Sequence, residues 1–396
     1  MKNYYTVPAG LGGFQCTTRE CEDNCCRNST WNITVDEGAY KKYETMDNEF
    51  GRRILSCIEK TETGYKMREY DNGQCPLLDK DGFCEIHLNL GEGYLCTTCA
   101  TYPRSSTVYA GKPEYWMSLS CPEVVRAVIY RDYKPFFVEL EFVGEINSKL
   151  GEFEESEYKI RSLLYDIMNS KLTLLQKIMF MGVAMRQVGK IPKDENLKKA
   201  LLGVIPGVRQ GITNKDIINQ LANVETPDRV LINSIIGKVA EISAQAASVP
   251  KVVPPDLPNA PYYDLMRNYR EDVNSGEHQK YILDAYEKLV VPYVNENPNL
   301  FENYLRYRLH STQYPKGLKD YTVSYTSFVG EFLAMLIFTA GLFHKKDKIT
   351  EEEMVPAIYL FHRVISHNEK LRVRLAEIIG ENASLGTLLG LFVGVR

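Results

Sequence analysis

All ten cysteines of this 396-residue chain fall within its first 121 positions: Cys16, Cys21, Cys25, Cys26, Cys57, Cys75, Cys84, Cys96, Cys99 and Cys121. Random placement would give that confinement with a probability on the order of 10⁻⁵, so the N-terminal third has a chemistry the remainder lacks. Its densest stretch, CEDNCC at residues 21–26, sets three thiols in six positions. A disulfide framework belongs to small secreted domains. The N-terminus, MKNYYTVPAGLGGFQC, lacks the basic segment, apolar run and small-residue cleavage site of a secretory signal. The expectation is a cytoplasmic protein with reduced thiols, and the short sequons at Asn28 and Asn32 carry little against it. Structural zinc wants four ligands, commonly from two CxxC steps. CTTC at residues 96–99 is one such step, but Cys21 to Cys25 is CxxxC and Cys25 adjoins Cys26. An iron–sulfur cluster accepts thiolates from less regular spacings. The CxxxCxxC signature of enzymes that cleave S-adenosylmethionine reductively is absent, because Asn28 stands at its third position.

Composition excludes other classes. With 47 basic against 51 acidic side chains and a net charge of −4, the chain has no general electrostatic grip on nucleic acid. The most apolar stretch, FVGEFLAMLIFTAGLF at residues 328–343, includes Glu331 and is shorter than the roughly 20 residues that span a bilayer. It reads as a buried core helix, and no membrane partner is expected.

Residues 14–130 are rich in turn formers, as in DNGQCPLLDKDGFC. DEGAYKKYETM predicts a helix opened by Asp36, and YKMREY predicts part of a small hairpin. Beyond Cys121 the period becomes helical: residues 160–189 predict two helices or one broken helix with a Met and Leu core stripe. SVPKVVPPDLPNAP at residues 248–261 carries five prolines and reads as a linker. Helices are expected near residues 278–291, 298–310, 325–343 and 351–379. The fold class is therefore mainly α. A cysteine-rich, loop-dominated, metal-binding module of small α+β type, residues 1–130, docks on an all-α body. That body comprises helical domains at 131–250 and 262–396, joined through the Pro-rich 251–261. No Gly-rich loop of the common methyltransferase sheet is evident. GLGGF at residues 10–14 reads as an ordinary loop with no strand before it, and LGTLLGLFVG as a helix terminus.

The blocks FQCTTRECEDNCC, CPLLDKDGFCEIHLNLGE, TCATYPR and SLSCPE, followed by FENYL and HRVISHN in the helical part, resemble in the same order those of the bacterial flagellin lysine-N-methylase family. The resemblance implies methyl transfer from S-adenosylmethionine to lysine ε-amines of flagellin, with an iron–sulfur cluster, expected as [4Fe-4S], in the enzyme. Eight positions match the family's cysteine pattern as metal ligands: Cys16, Cys21, Cys25, Cys26, Cys75, Cys84, Cys99 and Cys121; Cys57 and Cys96 are extras. A [4Fe-4S] cluster takes four thiolates, so either a second metal site exists or some are packed thiols. YPR follows Cys99, so a cluster held there would bring Arg104 near, unless Arg104 pairs with Glu123 instead. Tyr102, Arg104 and, as a base, His367 are the candidate catalytic residues, and His87 is an optional ligand. The alternative is a non-catalytic zinc- or iron-binding interaction module or a redox or metal sensor.

Overall fold

The computed structural model describes residues 3–17, 20–23, 25–27, 33–68, 75–131, 134–142, 151–194, 196–223, 228–246, 260–274, 278–363, 369–380, 387 and 390–392. The N-terminal part contains β1 (Asn3–Pro8), β2 (Thr34–Val35), α1 (Glu37–Glu44), α2 (Glu49–Ser56), β3 (Ile58–Thr61), β4 (Gly64–Met67), α3 (Glu85–Leu90), α4 (Thr97–Thr101), β5 (Arg104–Tyr109), β6 (Lys112–Met117), α5 (Pro122–Ile129) and β7 (Phe137–Phe142). The rest is helical: α6 (Glu154–Met168), α7 (Leu174–Gly189), α8 (Leu197–Gly211), α9 (Lys215–Ala222), α10 (Arg229–Ala246), α11 (Ala260–Asn274), α12 (His278–Ala285), α13 (Val291–Glu296), α14 (Pro298–Ser311), α15 (Tyr321–Phe343), α16 (Glu351–Phe361) and α17 (Glu369–Gly380). The protein is thus mainly helical with a small sheet region. Most of the Pro-rich segment lies outside the described residues, and α11 opens at its end.

Local signals explain many of these boundaries. Asp36 caps α1 by accepting from the Ala39 amide at 2.9 Å, and its second oxygen accepts from the Thr97 amide at 2.7 Å, joining α1 to α4. The stretch 160–189 is two helices because Thr173 and Gln176 form a capping box that starts α7 after the turn following α6. The predicted hairpin is β3 paired antiparallel with β4, which β2 extends to three strands.

The four-stranded sheet has the order β5-β6-β1-β7, with β1 parallel to β6 and antiparallel to β7. A strand therefore does stand directly before GLGGF, contrary to expectation. After Pro8 the chain makes a single tight turn at Ala9–Leu11, so the glycines still form a loop and not a helix-opening cradle.

Two apolar clusters result. The smaller gathers Val35, Tyr43, Ile54, Cys57, Leu77, Ile86 and Cys96. The larger runs from Val7, Met117 and Val124–Val125 through the helical body. At its centre α15 extends the 16-residue apolar stretch to 23 residues, long and apolar enough to cross a membrane, and is buried against α7, α10, α16 and α17. Gly341 permits this packing: a Cβ there would lie 2.4 Å from the Tyr269 ring of α11, whose hydroxyl is tied to the Ala240 carbonyl of α10 at 2.8 Å.

The sheet docks on the body through a buried charge. Glu114 of β6 and Arg161 of α6 form a bidentate ion pair at 0% and 2% exposure. The guanidinium lies 4.5, 4.9 and 5.8 Å from the ring centres of Tyr109, Tyr158 and Tyr165. His310 of α14 donates from Nε2 to the Tyr115 carbonyl at 3.0 Å and turns Nδ1 toward Glu114 at 3.8 Å. Burial, opposed by Glu114 and reinforced by Arg161, pushes His310 down to about 4.

Because the unfolded chain takes up that proton near pH 6.5 and the folded one near 4, stability falls as pH drops between those values, by up to about 3 kcal/mol from this group. His310→Asn should flatten that slope in urea titrations run from pH 7 to 4; an unchanged slope assigns the acid sensitivity elsewhere. Arg161→Met, which strands the Glu114 carboxylate, should cost about 3–5 kcal/mol in the same assay at pH 7.

Candidate functional site

The ten cysteines are all free thiols, and the fold sorts them. Cys16, Cys21, Cys25 and Cys121 line one small cavity between the N-terminal part and the helical body. Cys57 and Cys96 belong to the smaller apolar cluster, with Cys75, Cys84 and Cys99 packed against it. Cys26 joins the second set through its backbone carbonyl, which accepts from the Cys75 amide at 3.0 Å. The adjacent Cys25 and Cys26 therefore stand at the boundary, with their thiols hydrogen-bonded to each other.

Three cysteines occupy the position just before a helix: Cys84 before α3, Cys96 before α4 and Cys121 before α5. Burial raises the Cys84 thiol, while the Ile86 and His87 amides favour its thiolate. Burial likewise pushes Cys121 up to about 12 against the Val124 and Glu123 amides, and raises Cys21 to about 11 and Cys75 to about 12. These groups are neutral thiols near pH 7 unless a cation offsets the burial. Cys96 differs, held down to about 7 chiefly by the Cys99 thiol, which donates to it.

Among the described residues no three His, Cys, Asp or Glu side chains converge as they would around a metal ion. The metal-organised module expected from the spacing is thus not displayed as a preformed ion site. The cavity wall nonetheless carries four thiols, and its two carboxylates, Asp23 and Glu123, are paired with Arg363 and Arg126, which leaves soft sulfur of the kind that suits a thiolate-held cluster.

The cavity is closed from the body by Arg363, which immediately follows α16 and its cap residue His362. Arg363 forms an ion pair with Asp23, the third residue of CEDNCC, at 4% and 2% exposure. It also donates from Nε to the Ser120 carbonyl and from Nη2 to the Asp23 carbonyl, each at 2.9 Å. One guanidinium thus fixes two backbone segments that carry Cys21, Cys25 and Cys121. Tyr102 lines the same cavity, with its hydroxyl 3.2 Å from Ser120 Oγ, and Ser120 Oγ lies 2.6 Å from Ser118 Oγ. Burial raises Tyr102 well above its ordinary range despite Arg363, so it is a protonated hydrogen-bonding group and not a base at neutral pH.

The other expected residues do not meet there. Arg104 is exposed on β5 and lies over the Phe14 ring, 5.6 Å from its centre. Its anticipated partner Glu123 pairs with Arg126 instead. His87 is exposed on α3, and His367 lies outside the described residues. Asp23 and Ser120 were not anticipated as site residues. Asp23 sits within the cysteine block, but nothing in the local pattern around Arg363 announces a partner 340 positions away.

With this geometry in hand, comparisons supply the class. The FliB lysine N-methylase C-terminal domain matches residues 161–393, most of the helical body. Lysine-N-methylase from Salmonella typhimurium is 20% identical over 379 residues, covering 92% of each chain, and its counterpart from Salmonella choleraesuis matches equally. Flagellar biosynthetic protein FliU of Salmonella muenchen is 31% identical over 130 residues, 31% of this chain and 76% of that one. No solved structure matches. The chain is a methyltransferase. It belongs to the FliB lysine N-methylase family.

Arg363→Met should remove the ion-pair partner of the buried Asp23 carboxylate, costing about 3–5 kcal/mol locally. Hydrogen exchange should then rise in residues 20–27 and 118–122 while α15 keeps its protection. Uniform change across the chain would show that Arg363 is not a local clamp.

Proposed function

We propose that this protein transfers a methyl group from S-adenosylmethionine to lysine ε-amines of flagellin in the cytoplasm, with an iron–sulfur cluster held by N-terminal thiols. Family membership carries the methyl-transfer half and sets aside the reading as a non-catalytic module. A flagellar substrate is suggested by the name of the FliU relative. The single structural observation that supports the cluster is the wall of the cavity, to which Cys16, Cys21, Cys25 and Cys121 all contribute.

A zinc ion about 2.3 Å from each sulfur needs its four sulfurs within about 4 Å of one another, whereas a polynuclear cluster spreads them over several irons. When bound, the cluster supplies a redox-capable, net-charged centre beside Arg363. The chain's part is to hold the donor set: Arg363 fixes the Asp23 and Ser120 backbone, Tyr102 braces Ser120, and the buried thiols release protons as they ligate.

Methyl transfer itself makes one demand that no residue of the cysteine cavity answers. A lysine with a solution value near 10.4 costs about 4.6 kcal/mol to hold neutral at pH 7. The protein must recover that by desolvating the amine or accepting its proton before the nitrogen attacks the methyl carbon and the sulfonium leaves as a neutral thioether.

Anaerobic purification with iron and sulfide quantification tests the cradle. About four irons per chain, lost in both Cys25→Ser and Cys121→Ser but kept in Cys57→Ala, is expected. Iron retained in both serine variants would falsify the cradle. Label passing from methyl-labelled S-adenosylmethionine to flagellin, and not to flagellin with its lysines acetylated, tests the substrate.

A further inference from the structure

A cavity of about 490 Å³ opens in the helical body where the end of α14, the following loop and the first half of α15 meet α17. We propose that this cavity takes the S-adenosylmethionine donor, an inference that rests on the methyl-transfer reading above. It lies wholly within the residues matched by the methylase domain, whereas the thiol cavity is built mostly from residues before 161. The volume falls in the range of about 300–1,000 Å³ typical of small-molecule sites, and the lining is mainly apolar with a few convergent polar groups.

The donor is chemically composite: a flat base, a vicinal diol, an amino-acid end and a sulfonium cation. Each part has a counterpart here. The Tyr314 and Phe328 rings, 4.9 Å apart, form an aromatic wall in a lining that also includes Leu375, suited to the base. Glu331, which pairs with Arg308, and Asp320, whose Oδ1 caps α15 by accepting from the Thr322 and Val323 amides, place carboxylates in the lining for the diol and for the positive sulfur. Arg308 lies at the same wall, and exposed Lys319 stands at the mouth, a pair of cations for the donor's carboxylate.

Arg308 and Glu331 contact each other at 2.7 Å while only 12% and 18% exposed, so their positions are fixed without any ligand. Their hydrogen-bonding capacity is not exhausted. Arg308 uses Nη2 on Glu331 and a long 3.4 Å contact from Nη1 to Ser311, and a carboxylate offers about four acceptor sites. A fixed acid–base pair beside an aromatic wall is what a zwitterionic, cationic nucleoside needs for orientation.

Of two other sizeable cavities, one of about 490 Å³ at Phe136, Phe137, Tyr165 and Arg306 has no carboxylate in its lining, and one of about 550 Å³ between the start of α7 and the α13–α14 region is also less suited. The latter offers a single ring, Phe392, against the two of the proposed site, and a single lining acid, Glu302, against two.

Isothermal titration of the full chain with S-adenosylhomocysteine distinguishes this last cavity from the proposed one. Ser327→Trp, which fills the proposed cavity from the α15 surface, should weaken binding at least about tenfold, and Lys319→Glu should weaken it about three- to tenfold. Asn295→Trp, which fills the cavity at α7, should leave the dissociation constant unchanged. Melting curves without ligand identify any variant that has not folded, in which case Lys319→Glu at its exposed site decides. Normal binding by Ser327→Trp and Lys319→Glu, or loss in Asn295→Trp alone, overturns this location while leaving methyl transfer intact. Failure of the unmodified chain to bind S-adenosylhomocysteine at millimolar concentration overturns the methyl-transfer reading beneath it.

Discussion

The Glu114–Arg161 pair is the contact on which the placement of β6 against the helical body depends. Removing two charges from water costs several kcal/mol per ion, and the fold offsets it only by surrounding the pair with the tyrosine rings and a neutral His310. Because Glu114 is on β6, fixing it also fixes the strand's exit. Met117 ends β6 with both backbone groups bonded to the Tyr307 hydroxyl of α14, and Ser118, Leu119, Ser120 and Cys121 follow directly. The thiol cavity is therefore positioned from the β6 side by this buried charge and from the α16 side by the Arg363–Asp23 pair.

What could be read from the sequence was what depends on neighbours in the chain. Asp36 at the head of an acidic first turn, the break between α6 and α7, and the apolar run of α15 are local signals, and each produced the element it predicted. The sheet was not legible. β1 is six residues long and ends in proline, and its partners β6 and β7 lie more than a hundred positions away, where pairing energy leaves no local trace. The same holds for the site. Cysteine spacing identified the thiols, but their division between two environments depends on how α5 packs against α14 and α16, and the Asp23–Arg363 pair joins the two ends of the chain.

That division gives CEDNCC a physical reading. Although the two thiols hydrogen-bond each other, the Cys-Cys step spans two environments, one through the Cys25 side chain and one through the Cys26 backbone. Cys25 faces the cavity with Cys16, Cys21 and Cys121, and Cys26 is tied to Cys75 beside the second apolar cluster. Asp23 in the same block anchors the segment to the body, so the short motif holds both the sulfur and the attachment that positions it.

The two cavities are linked by α14. Tyr307 reaches toward the N-terminal part and bonds Met117, three residues before Ser120, while the next residue, Arg308, lines the body cavity and meets Glu331. Consecutive residues on a helix point about 100° apart, and a buried helix moves as a unit. A displacement of α14 large enough to reshape one cavity must therefore also disturb the strand exit that sets the other. The thiols of the first 121 residues and the methylase body are mechanically one structure.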